Sequence, residues 1–325
     1  MKNIVVIGGG TGTFTVLTGL KRYTRNIAAV VAMSDSGGST GRLRDEFGVL
    51  PPGDIRACLV ALADSKGLLR QLFNYRFNAG AGLKGHNFGN LFLTALEKLT
   101  GNFEKALEQA ARILNIEGEV IPVTTHCTNL CAKLENGVIV KGEAQIDKPK
   151  HDGTLKIIKI WLEPKAKANP RALRAIKKAD SIIIGPGDFY TSVVPSLLVE
   201  GIAAAIRKSR AKKIFICNVM TKFGETNGFE VADFEKNISK YLGGNILDYI
   251  VFNEAKIPKK LLARYAREKK YPVEFACREG RNKRVKYIGA DLASHKTLIR
   301  HDPDKLARLI LTIAQRQENL KYKEY

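Results

Sequence analysis

An α/β fold with a doubly wound, mainly parallel sheet is predicted by three observations on this 325-residue chain. First, the short runs "NIVVIGG", "IAAVVAMS", "SIIIGPG", "KIFICNV" and "DYIVFN" are apolar throughout. They lack the polar alternation of a half-exposed strand and read as strands covered on both faces. Second, each run closes on glycine, serine or asparagine, the residues that turn a chain out of a strand. Third, helical segments such as "DIRACLVALADS", "FEKALEQAARILN" and "VPSLLVEGIAAAIRKSR" lie between the runs. Strands alternating with helices are the pattern of crossover-connected parallel strands. Residues 1–325 read as one domain with two additions. Residues 118–163, with "ENG" as a turn, read as a β-rich insertion of short antiparallel strands. "DPDKLARLILTIAQRQ", about 303–318, reads as an amphipathic C-terminal helix with an Asp-Pro start.

Composition narrows the function classes. Hydrophobic content of 45% without a low-complexity tract indicates an ordered chain with a sizeable core. No apolar run approaches the roughly 20 residues that span a bilayer. The opening "MKNIVVIGGG" reads as a first strand, not a signal peptide. Five cysteines, an odd number at irregular spacings, fit reduced thiols, so a cytoplasmic location is expected. The formal net charge is +21, yet the basic runs "KRYTR", "RKSRAKK" and "REGRNKRVK" are short and scattered. No recognition helix, RNP or zinc-finger pattern organises them, so no nucleic-acid partner is expected. A solvated surface and a small anionic ligand account for the charge. A homo-oligomer is compatible with it.

The chemistry concentrates at strand ends. "IGGGTGTF" follows the first strand, and bare N–H groups of Gly8, Gly9, Gly10, Thr11 and Gly12 at a helix N-terminus favour a phosphate. The dinucleotide fingerprint breaks at Thr13, where its third glycine belongs, and no Walker A lysine follows. A second glycine turn closes the second strand. Asp35 stands where a ribose hydroxyl would be met, then come Ser36, Gly37, Gly38 and Ser39, with Arg42 as a bidentate-capable cation. "PPGDIR" places Asp54 at a helix start, as an N-cap or as a ligand to substrate or metal. Asp35 and Asp54 are the metal candidates; Asp54 and His86 are the catalytic ones. His86, Asn87 and Asn90 crowd the turn "GHNFGN". Gly185, Gly187 and Asp188 close the strand "SIIIG", and Tyr190, Thr191 and Ser192 open the next helix. "CNVMTKFGETNGF" adds Asn218, Thr221, Glu225 and Thr226. Five donor-rich strand ends on one sheet edge describe a cleft. His126, Cys127 and Cys131 lack a second ligand pair for zinc, and Cys58, Cys217 and Cys277 sit in apolar contexts and read as packing residues.

These segments, "GGGTGTFTVLTGLK", "SDSGGSTGRLRDEFGVLPPGDIRACLVALAD", "GHNFGNLFLTALEKLTG", "GPGDFYTSVVPSLLVEGI" and "CNVMTKFGETNGF", resemble the bacterial gluconeogenesis-factor (YvcK-like) family over nearly the whole chain. The resemblance implies a cytoplasmic, Rossmann-like protein that binds UDP-sugars, notably UDP-N-acetylglucosamine. It also implies a role in cell shape and cell-wall supply on gluconeogenic carbon sources, through a protein partner. It further implies that Tyr265 of "LLARYA" and Arg300 of "TLIRHDP" contact the UDP-sugar. The CofD-like phospholactate transferases of the same superfamily imply an alternative, transfer of a phospho-acyl group from a nucleotide donor with magnesium. Many relatives read Asp-Asp-Gly-Gly where this chain has Asp35-Ser36-Gly37-Gly38, one carboxylate fewer at that strand end.

Overall fold

Ile4–Gly8 (β1) is buried along its whole length and pairs in parallel on both sides, as its uninterrupted apolar character requires. The computed structural model describes residues 2–64, 67–276, 284–294, 298–315 and 323–325. Its flanking partners are Ile27–Val31 (β2) and Ser181–Ile184 (β4). Glu119–Pro122 (β3) lies outside β2. On the other side follow Lys212–Ile216 (β5), Tyr249–Asn253 (β6) and Lys286–Ala290 (β7). Among the described residues these seven strands run parallel in the order 3-2-1-4-5-6-7, and Lys323–Glu324 adds an antiparallel pair beside β7. Winding reverses between β1 and β4. At such a switch point the outgoing loops diverge and leave a crevice at the carboxyl ends of the strands.

Gly10–Leu20 (α1) packs on Pro52–Leu62 (α3) and on Pro303–Ala314, while Pro170–Lys178, Val194–Leu198, Ile202–Lys208 and Val231–Leu242 form a second group, and the two groups flank the sheet. One continuous apolar core joins them through the buried strands. Among the described residues no helix is long and apolar enough to cross a membrane.

The β-rich stretch divides. Glu119–Pro122 is not part of an antiparallel insertion; it is the edge strand of the main sheet, in register with β2 from Ala28 to Val31. Alternation alone cannot tell a parallel edge strand from an antiparallel one, because its partner is chosen by the sheet order. The separate antiparallel sheet is Asn129–Leu134, Ile139–Lys141 and Ile157–Glu163, with the short helix Glu143–Asp147 between its last two strands. At the C-terminus the Asp302 carboxylate accepts from the N–H groups of Asp304 and Lys305, which fixes the start of Pro303–Ala314. Residues 316–318 of the expected helix, and Cys277, lie outside the described residues.

Candidate functional site

The first glycine turn is built by close approach. A methyl group on Gly12 would lie 2.2 Å from the Pro186 carbonyl oxygen, and one on Gly9 2.2 Å from Asp54 Oδ2. Gly10 has φ +64°, a conformation glycine adopts without strain. Gly8 ends β1, and the Thr13 side chain stacks where a Gly8 methyl would go, so the broken fingerprint position is a packing threonine. No side chain caps α1 and no acid stands in its first turn. Gly10, Thr11 and Gly12 therefore open on a cleft of about 450 Å³ across the tips of β1, β2, β4 and β5.

The second turn supplies carboxylates. Asp35 accepts from the Gly37 N–H at 2.9 Å, and Arg44 donates to the Asp35 carbonyl and to Asn129 Oδ1, both at 3.0 Å. Gly37 precedes Gly38–Phe47 (α2), and Gly38 has φ +47°. Asp54 lies in the first turn of α3 but makes no capping bond there; its carboxylate takes the Gly10 N–H instead. The N-cap alternative is thereby excluded. Burial, reinforced by the neighbouring Asp35 charge, pushes the Asp54 carboxyl up to about 7. Burial also raises Asp35. A third acid joins them from 108 positions beyond Asp35 in the chain: Glu143, pushed up to about 8 by burial and then by Asp35 and Asp147. Ser36 Oγ accepts from the Ala144 N–H at 3.1 Å, so this serine docks the helix that delivers Glu143.

The third turn does not reach the cleft. His86 Nδ1 is 3.1 Å from Ser39 Oγ, which in turn accepts from the Asn87 N–H at 3.2 Å. Asn87 caps Phe88–Thr100 through the Asn90 N–H, and Asn90 Oδ1 accepts from Arg56 Nε at 3.0 Å. Arg42, expected to face the ligand, donates to the Lys84 carbonyl at 3.0 Å. These residues buttress α2 and α3 from behind. Burial, followed by the Arg42 charge, lowers the His86 pKa, and His86 is not among the residues that line the cleft.

On the β4 and β5 side, Gly187, Asp188, Thr191 and Ser192 line the cleft, with Gly185 at φ +74° just before them. Asn218 grips this turn by donating to the Gly187 carbonyl at 2.8 Å and accepting from its N–H at 3.3 Å. Glu225 is buried beneath it, accepting from the Tyr190 N–H at 2.8 Å and from Thr191 Oγ1 at 3.0 Å. Burial pushes its carboxyl up to about 7 against the pull of Lys222. Thr226 Oγ1 accepts from the Lys222 N–H at 2.9 Å, and Thr221 Oγ1 from the Tyr271 N–H at 2.9 Å. So Tyr190, Glu225 and Thr226 brace the wall, while Asn218 and Thr221 form it. Tyr265 and Arg300 also line the cleft, and the Tyr265 hydroxyl accepts from the Ile299 N–H at 3.0 Å.

Charged residues that pattern reading passed over complete the site. Lys222 stands in the quoted "CNVMTKFGETNGF" and pairs with Asp147, with Asp188 at 2.6 Å and with Glu225 at 3.3 Å. Oxygens of those three acids lie within 4.8 Å of one another, a spacing a cation could use, and the lysine ammonium supplies one. Glu143, from the unremarkable "KGEAQID", had no local signal. His126, Cys127 and Cys131 are not gathered: His126 Nδ1 lies 3.1 Å from Thr124 Oγ1, Cys131 Sγ 3.7 Å from Glu163, and Cys127 is exposed.

Comparison with known proteins places this chain in a family. The model of the family described as 2-phospho-L-lactate transferase CofD matches residues 4–293. The gluconeogenesis factor of Halalkalibacterium halodurans is 41% identical over 317 residues, 95% of this chain and 96% of that protein. That of Bacillus subtilis is 39% identical over 312 residues, 95% and 97% of the two chains. The crystal structure of a UPF0052-family protein from Bacillus halodurans superposes with a TM-score of 0.91 at 41% identity, covering 96% of this chain and all of the other. The chain thus belongs to the gluconeogenesis-factor family, on the α/β fold it shares with the CofD group.

Proposed function

We propose that the protein is a cytoplasmic nucleotide-sugar binder, with UDP-N-acetylglucosamine as ligand, that acts through a protein partner on cell morphogenesis and cell-wall supply during growth on gluconeogenic carbon. One observation carries the reading: a single cleft has the N-terminus of α1 at Gly10–Gly12, where Asp54 takes the Gly10 N–H and no N-cap side chain covers the turn, and, elsewhere on its wall, Tyr265 with the exposed Arg300. The helix end offers N–H groups and a positive dipole to a diphosphate. Arg300 adds a planar guanidinium that can pair with a phosphate through two N–H groups. Tyr265 offers a flat apolar face. Charge-assisted bonds of roughly 1.5–3 kcal/mol each give micromolar affinity from few contacts.

Titration calorimetry with UDP-N-acetylglucosamine, GDP, GTP and NAD, with and without magnesium, tests this. Binding of the UDP-sugar without turnover is the expected result. Arg300→Ala is expected to weaken that binding at least tenfold, about 1.4 kcal/mol, with an unchanged melting curve. Wild-type affinity in the variant would remove Arg300 from the site.

A second reading, magnesium-dependent transfer of a phospho-acyl group from a nucleotide donor, is favoured by the carboxylate group at Asp35, Asp54 and Glu143. Hard oxygens whose pKa values are raised first by burial and then by the neighbouring carboxylates fit a divalent cation, which would neutralise them. When bound, magnesium would supply charge neutralisation at the phosphates. In this chain Asp35 and Asp54 would hold it, and α1 would orient the phosphates. Consumption of a GTP-derived donor in the same assay would select this reading.

A further inference from the structure

We propose that His301 reads the base of the ligand, accepting a hydrogen bond at Nε2 from a ring N–H such as that of uracil; this rests on the nucleotide-sugar reading above. His301 follows Arg300 in the two-residue strand Arg300–His301, which pairs with Ala293–Ser294. Its side chain is closed off, with 6% of the residue exposed and Nε2 itself out of contact with solvent; the residue forms part of the cleft wall, so binding of the base requires that wall to shift. One ring nitrogen is committed to the Cys217 carbonyl, and Nε2 is without a partner among the described residues. Because a carbonyl can only accept, the bonded nitrogen carries the proton and Nε2 presents a lone pair.

Two features set this lone pair apart. The other buried side-chain atoms without a partner are serine and threonine hydroxyls, and none of those residues lines the cleft. His301 alone combines the two properties among the described residues. A hydroxyl can also turn its proton toward a weak acceptor, whereas an imidazole nitrogen is fixed by the tautomer. Burial pushes the ring down to about 4, so it stays a neutral acceptor at physiological pH. An unmatched buried acceptor is costly and is normally answered by a donor. The same cleft is also lined by Val219, Met220, Ile299 and Tyr265, surface that suits a flat, weakly hydrated group. Uracil brings an N–H at ring position 3. Cytosine brings a lone pair there, which would oppose that of Nε2.

The test is calorimetry of UDP and CDP binding to the wild type, His301→Leu and His301→Gln. The wild type is expected to favour UDP over CDP at least tenfold, the leucine variant less than about threefold, and the glutamine variant, whose amide oxygen can accept, to recover part of the preference. A wild-type ratio in the leucine variant would overturn the assignment while leaving nucleotide binding intact. Failure of the wild type to bind UDP, CDP or UDP-N-acetylglucosamine would overturn both readings together. Should the leucine variant unfold, the nitrogen-15 resonance of His301 Nε2 in the wild type decides. It is expected to move toward the hydrogen-bonded position when UDP is added, and an unmoved resonance would refute the proposal.

Discussion

Gly12→Ala is expected to abolish UDP-N-acetylglucosamine binding and to cost about 3 kcal/mol or more of stability. The added methyl would sit 2.2 Å from the Pro186 carbonyl oxygen, 2.5 Å from its carbon and 2.8 Å from the Gly187 nitrogen. All three are backbone atoms, so no rotamer change relieves the clash. Either α1 lifts away from the β4 turn or that turn retreats, and Asn218, which holds Gly187 through two hydrogen bonds, resists the second. Lifting α1 re-aims the N–H groups of Thr11 and Gly12, so affinity should fall far more than in Arg300→Ala, where the frame is untouched. Thermal melting and calorimetry check this. A stable variant with wild-type affinity would mean that the helix end is not the phosphate site.

Asp54→Asn is expected to stabilise the ligand-free protein at pH 8 by on the order of 2–3 kcal/mol, and hardly at all near pH 4. The folded protein pushes this carboxyl from the usual 3.8 up to about 7. Between those values the folded state holds a proton that the unfolded chain has released. Stability therefore declines as pH rises through that window, and the loss is complete above about 7. Asparagine removes the charge and keeps an oxygen for the Gly10 N–H. Chemical denaturation at the two pH values is the measurement. A gain of equal size at both would show that packing, not charge, is responsible. Magnesium offers a further contrast: if the second reading holds, millimolar magnesium raises the wild-type melting temperature at pH 8 and leaves that of the variant unchanged.

The strand tips were legible because a strand buried on both faces must be apolar throughout and must end in a turn. "NIVVIGG" and "SIIIGPG" each state a strand, its end and its glycine exit within seven residues. The turn at "GHNFGN" looked the same in sequence, yet it serves as a brace. Asn87 is a cap and Asn90 the acceptor of an arginine, roles that use the residue types a binding loop would use. Arg42 was misdirected for a related reason: a long flexible side chain goes to the nearest unsatisfied carbonyl, here that of Lys84. Edge strand β3 shows the same limit for backbone, since its apolar pattern is silent about which neighbour it meets.

Local sequence determined the class of fold, the helix that carries the bare amides, and the acids Asp35 and Asp54, because periodicity and turn chemistry act over a few residues. Only the folded sheet decided that Glu143 joins those acids, that Lys222 sits among three carboxylates, and that His301 keeps an unmatched lone pair in the wall. These last facts depend on strand order and on burial, and both are set by contacts between segments well separated along the chain, where no local spacing records the neighbour.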